Sequence, residues 1–123
     1  MNDILLSTNL TARYYFYTSC VDMRKGAHSL YHMIKQSDNF SALNGDYFIF
    51  IGATRKSIKI IWWHKDGFAM YCKRLELGCF VLPTQITNSL FYELTKAQIS
   101  RLIHGVRYRS VGGELRLKAI LNI

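Results

Sequence analysis

If this 123-residue chain cut phosphodiester bonds, Asp22, Asp66 and Glu76 would be the residues to do it, because three carboxylates can hold the two metal ions that clamp the attacking and leaving oxygens. Each also has an ordinary reading. Asp22 is placed to cap a helix, Asp66 precedes Gly67 in a turn, and Glu76 follows Lys73-Arg74. These readings are simpler, so no enzyme and no metal site is expected. His28 and His32 have the i, i+4 spacing that turns two imidazoles toward one ion, yet no third ligand is evident and a solvated polar stripe accounts for them. Cys20, Cys72 and Cys79 are odd in number and lack a C-x-x-C pair. They are expected to be reduced thiols in a cytoplasmic protein, with Cys72 and Cys79 in the core. No cofactor motif is present.

The stronger chemical signal is cationic. Sixteen Lys and Arg against eight Asp and Glu give a net charge of +8, which points to a polyanionic partner. Arg24 and Lys25 fall in the first turn of an expected helix, where backbone amides also favour an anion; the alternative is that Asp22 pairs with Arg24 and leaves Lys25 solvated. Lys73 and Arg74 are adjacent on an expected strand and so project from opposite faces. Lys59 and Lys73, with Trp63, are candidates for a basic and aromatic surface, while Arg74 is expected to pair with Glu76 or Asp66. Residues 95–123 carry six cations, among them Arg101, Arg107 and Arg109, against Glu114 alone, a net +5.

The elements that must position these groups follow from pattern. Half the residues are apolar and 14% aromatic, with one proline, enough for a single core. One domain is expected over residues 1–109, with a C-terminal tail at 110–123 whose alternation suits an edge strand, a helix or a partner-binding tail. No apolar run approaches the roughly 20 residues that span a bilayer, and the first residues lack a secretory signal pattern. Aromatic residues at 13–18 read as a strand, and residues 23–36 as a helix capped by Asp22. Strands are expected at 47–52, 57–63, 68–75 and 78–82, joined by hairpin-length turns. In the second of these, Ile58, Ile60 and Trp62 share one face and Lys59, Ile61 and Trp63 the other. Thr95 and Gln98 form a capping box, with Leu94 and Ile99 as its hydrophobic staple, so a helix runs from 95 to 104 and Gly105 ends it. The sum is an α+β fold: an antiparallel β-meander of about five strands with two main α-helices packed on one face. The other face, and an aromatic area too large for a monomer to bury, suggest a homodimer or protein contact.

Five blocks in order also resemble a known family. Val21-Asp22-Met23-Arg24-Lys25-Gly26, Tyr47-Phe48-Ile49-Phe50, the run from Ile58 through Trp63, Asp66 and Gly67 to Phe68, the run Lys73-Arg74-Leu75-Glu76-Leu77-Gly78-Cys79-Phe80-Val81-Leu82-Pro83, and the segment 94–105 are similar to the TnpB-type accessory proteins encoded by the second open reading frame of family 66 insertion sequences. His64 and Leu82 depart from that pattern. The resemblance covers residues 13–109 and marks Asp22, Gly26, Trp63, Asp66, Gly67, Glu76, Gly78, Phe80 and Pro83 as motif positions. It implies a non-catalytic protein that supports DNA transposition, with element-end DNA, the transposase and a second small accessory protein as partners. A stand-alone nucleic-acid-binding module and a metal-dependent nuclease are the alternatives.

Overall fold

The computed structural model describes residues 12–37, 41–84, 88–104 and 106–107. Among these, the elements in chain order are β1 (Tyr14–Tyr17), α1 (Ala27–Lys35), β2 (Tyr47–Ile51), β3 (Ser57–His64), β4 (Gly67–Arg74), β5 (Cys79–Phe80), β6 (Phe91–Leu94), α2 (Lys96–His104) and β7 (Val106–Arg107). Five strands make one sheet in the order β4-β3-β2-β1-β6, and β5 pairs with β7 separately.

The central strand explains the core. All five residues of β2, Tyr-Phe-Ile-Phe-Ile, are buried, which is how a strand covered on both faces reads. Tyr47, Ile49 and Ile51 join a cluster with Ile58, Ile60, Phe80 and the α2 residues Ile99 and Leu102. Phe48 and Phe50 join the opposite cluster with Tyr15, Ile61 and the α1 residues Leu30 and Ile34. The two helices therefore cover opposite faces, giving three layers instead of the expected two.

The sheet is mixed, which corrects the expected antiparallel meander. β2, β3 and β4 do form consecutive hairpins, with Phe48 opposite Ile61 and Lys59 opposite Cys72. β1, however, runs parallel to β2, Tyr14 facing Tyr47. The connection between them holds α1, and a parallel pair requires a crossover of that length. β6 then pairs antiparallel with the free side of β1, Tyr17 facing Phe91, in a position the sequence reading left without a strand. The run at 78–82 shortens to β5 and leaves the main sheet.

Local chemistry accounts for the helix boundaries. The capping box is formed as expected: the Gln98 amide donates to Thr95 Oγ1 at 3.1 Å, and the Thr95 amide to Gln98 Oε1 at 2.9 Å. α1, in contrast, starts four residues later than expected, behind an extended Gly26 that offers no side-chain cap. Asp22 closes a turn instead, its carbonyl accepting from the Lys25 amide and its carboxylate from the Arg24 amide. Arg24 and Lys25 thus precede the helix.

Two expectations about burial change. Cys72, on the edge strand β4, is exposed, and Cys79 is half-buried. The aromatic residues are largely used up inside: Tyr14, Tyr15, Tyr47 and Tyr92 are buried and both tryptophans half-buried. The large apolar side chains left exposed among the described residues are Leu43, Met70, Leu77 and Leu90. No helix among these residues is long and apolar enough to cross a membrane.

Candidate nucleic-acid interface

The register of β3 and β4 decides which cations can act together. Opposed residues of an antiparallel pair point to the same face, so Lys59 shares its face with Cys72, and Ser57 with Arg74, on the α1 side. Lys73 lies opposite Ile58 and faces the α2 side, which separates it from Lys59 and Trp63. The expected basic and aromatic surface is therefore not assembled in that form. Trp63 instead packs edge-on against Phe68, whose ring also meets Tyr31 of α1.

Lys59 reaches across to the turn before α1 and donates to the Lys25 carbonyl at 2.7 Å. This bond ties the Arg24-Lys25 turn to the sheet while leaving the ammonium charge in place. Met23, from the same turn, lines a hollow of about 180 Å³ together with Ser57, Ile58, Lys59, Cys72, Lys73 and Arg74. Lys59 and Arg74 bring their side chains to this face, Lys73 turns its own to the other, and none of the lining residues is acidic, so the hollow is suited to an anion. Arg74 donates to Ser57 Oγ at 3.3 Å, and the expected pairing with Glu76 or Asp66 is not made. Ser57 was missed in the sequence, although the two-residue turn Lys65-Asp66 fixes the count back along both strands to Ser57 and Arg74.

Arg24 is the cation most fully engaged. Its Nε contacts both Asp22 carboxylate oxygens at 3.1 Å and its Nη2 reaches Oδ2 at 2.7 Å, with 91% of the arginine side chain exposed. Hydrogen bonds from the Arg24 side chain and then its amide hold the Asp22 carboxyl well below the usual carboxylate range, and the same pairing raises Arg24. This is the paired alternative foreseen for the motif. Lys25 is exposed beside it.

The remaining candidates lie elsewhere. Arg101 is exposed on α2 and lines a separate hollow of about 200 Å³ with Val81, Pro83 and Gln98. The side chains of Arg107 and Arg109 lie outside the described residues. Asp22, Asp66 and Glu76 are not brought together: no three His, Cys, Asp or Glu among the described residues stand close enough to hold a metal ion. His28 and His32 meet each other, Nε2 to Nε2 at 3.3 Å, on the exposed side of α1.

Several motif positions shape the turns and loops that flank the sheet. Gly78 takes a φ of 76°, a left-handed conformation that glycine adopts without strain, and its carbonyl accepts from Lys56 Nζ at 3.0 Å. Phe80 is buried and its amide donates to the Arg55 carbonyl, while the Pro83 carbonyl accepts from the Tyr92 hydroxyl. Asp66 and Glu76 are exposed, and Gly67 opens β4 behind a tight turn at Lys65, φ 59°.

The family model described as IS66 Orf2 like protein matches residues 12–112. The chain belongs to this family. It is also 30% identical over 105 residues to the uncharacterized protein y4hO of Sinorhizobium fredii, an alignment covering 85% of this chain and 90% of that one. No solved structure matches. The motif resemblance and the match agree on an insertion-sequence context, and the Lys25, Lys59 and Arg74 positions all fall inside the matched range.

Proposed function

We propose that this protein is a non-catalytic accessory factor of its insertion sequence that grips element DNA through the phosphate backbone and presents it to the transposase complex. The observation carrying this reading is the carboxylate-free hollow to which Lys59 and Arg74 bring their side chains, with Lys25 alongside. Cations spread on a rigid sheet suit phosphate contact, which gives affinity and register with little base specificity. The scattered acids and the family context favour binding over cleavage. The transposase and the second small accessory protein are the protein partners this role requires.

Fluorescence anisotropy with a labelled element-end duplex and a scrambled duplex, from 50 to 200 mM salt, tests the DNA arm. A Lys25→Ala/Lys59→Ala variant should flatten the slope of log K against log salt by about 1.8, at roughly 0.9 per lost phosphate contact. An unchanged slope in a folded variant overturns the assignment of this surface. Co-purification with the cognate transposase, with and without DNA, tests the protein arm.

A further inference from the structure

β4 is the outermost strand on one side of the main sheet, and among the described residues no strand lies beyond it. Its eight residues pair with β3 without interruption, so the edge carries no bulge, and it contains no proline. The Leu75 amide continues the ladder by donating to the Lys56 carbonyl at 2.7 Å. Alternate pairs exchange bonds in an antiparallel ladder, so Gly67, Ala69, Tyr71 and Lys73 turn their main chain toward β3. Phe68, Met70, Cys72 and Arg74 then turn their amides and carbonyls outward. Long flat edges of this kind are templates for another strand.

We propose that this edge pairs with β4 of a second copy, antiparallel about a two-fold axis through Met70, to make a continuous ten-stranded sheet from two five-stranded ones. Charge selects the register. With Met70 opposite its counterpart, Asp66, in the turn just before β4, comes beside the partner's Arg74 at both ends of the contact; both side chains are exposed, and Arg74 exchanges its 3.3 Å contact with Ser57 Oγ for the carboxylate. Moving the centre to Ala69 would bring Lys65, in the turn before β4, beside the partner's Lys73, and moving it to Tyr71 would bring Asp66 of that turn beside Glu76, just past the strand. Both neighbours are therefore like-charge registers, which are destabilising.

Size agrees with charge. In the Met70 register Phe68 meets the partner's Cys72, Ala69 meets Tyr71 and Gly67 meets Lys73, so in each of these pairs a large side chain faces a smaller one, and Met70 meets its own copy. Met70, 39% exposed and one of the few large apolar side chains left uncovered, is buried at the axis. The outward main-chain groups of Phe68, Met70 and Cys72 become bonded pairs. Arg74 leaves the anion-binding set on pairing, so the DNA surface of the dimer rests on Lys25 and Lys59.

Sedimentation velocity on the full chain over about 1–100 µM reads the association directly. The wild type should dimerise, Asp66→Arg and Arg74→Asp should each weaken the dimer at least tenfold, and the double reversal should return it to within about threefold. Hydrogen exchange without any substitution provides the second readout: the amides of Met70 and Cys72 should gain protection as concentration rises. A monomer throughout the range overturns the proposal, as does a double reversal no better than the single ones. Protection that does not depend on concentration identifies an occupant from the same chain and overturns it as well. Asp66→Arg leaves every proposed DNA contact in place, so loss of the dimer and loss of DNA binding are separable.

Discussion

Gly52→Ala tests how the Arg24-Lys25 turn is held. Gly52 is buried and bridges Val21 in parallel, and the Val21 amide donates to the Ile51 carbonyl at 3.0 Å. A Cβ at Gly52 would stand 2.7 Å from Met23 Cγ and 3.6 Å from its sulfur. Carbon atoms rest about 3.5–4.0 Å apart, so Met23 must withdraw by roughly 0.8 Å or more. Forcing a methyl into such a contact costs about 1–3 kcal/mol, or roughly 4–12 °C in melting temperature for a domain of this size. Because Met23 belongs to the same turn as Arg24 and Lys25, its displacement also disturbs the Lys59–Lys25 bond and should weaken salt-sensitive DNA binding. Thermal denaturation of Gly52→Ala, Met23→Ala and the double variant forms the assay. Relief of the clash predicts that the double variant loses less than the sum of the singles, by about 1 kcal/mol or more. Strict additivity would refute the claim that Met23 packs on Gly52.

Thr95→Ala should cost about 1 kcal/mol in urea denaturation, because it removes the acceptor for the Gln98 amide at the start of α2; no loss would show that the box is not formed in solution. For Asp22 the folded carboxyl titrates below its unfolded value of about 3.9, so its contribution is complete above that value and is lost as pH falls through the folded one. Carbon-detected NMR should place the Asp22 midpoint well under 3.9 in the wild type and raise it in Arg24→Ala, though not fully, because the amide of residue 24 still donates to the carboxylate. A wild-type midpoint near 4 would mean the ion pair does not persist.

What could be read in advance was whatever chain neighbours decide. The Thr95–Gln98 box, the two hairpins through β3 and the alternation of Ile58, Ile60 and Trp62 against Lys59 and Ile61 depend on residues a few positions apart. The place of β1 does not. Its four residues, Tyr-Tyr-Phe-Tyr, suit any sheet position, and its neighbours were settled by α1 forming a crossover and by Phe91–Leu94 arriving from far along the chain. Leu94 had a sufficient local explanation as part of a helix staple, which hid the strand it ends. The α1 start was misplaced for a similar reason: an aspartate such as Asp22, five residues before Ala27, caps a turn as readily as a helix. For the site, the cations were visible but their faces were not, since only the β3–β4 register separates Lys73 from Lys59 and brings Arg74 to Ser57.

Placing the first described strand between β2 and β6 has a consequence for biogenesis. Tyr14 must find Leu94 before the sheet is complete, so the hairpins of the middle can form on the ribosome while one flank of β1 stays open until residues 91–94 emerge. Any frameshift or stop upstream of Phe91 would release a polypeptide with a naked aromatic border, the form most readily cleared by proteases or lost to aggregation.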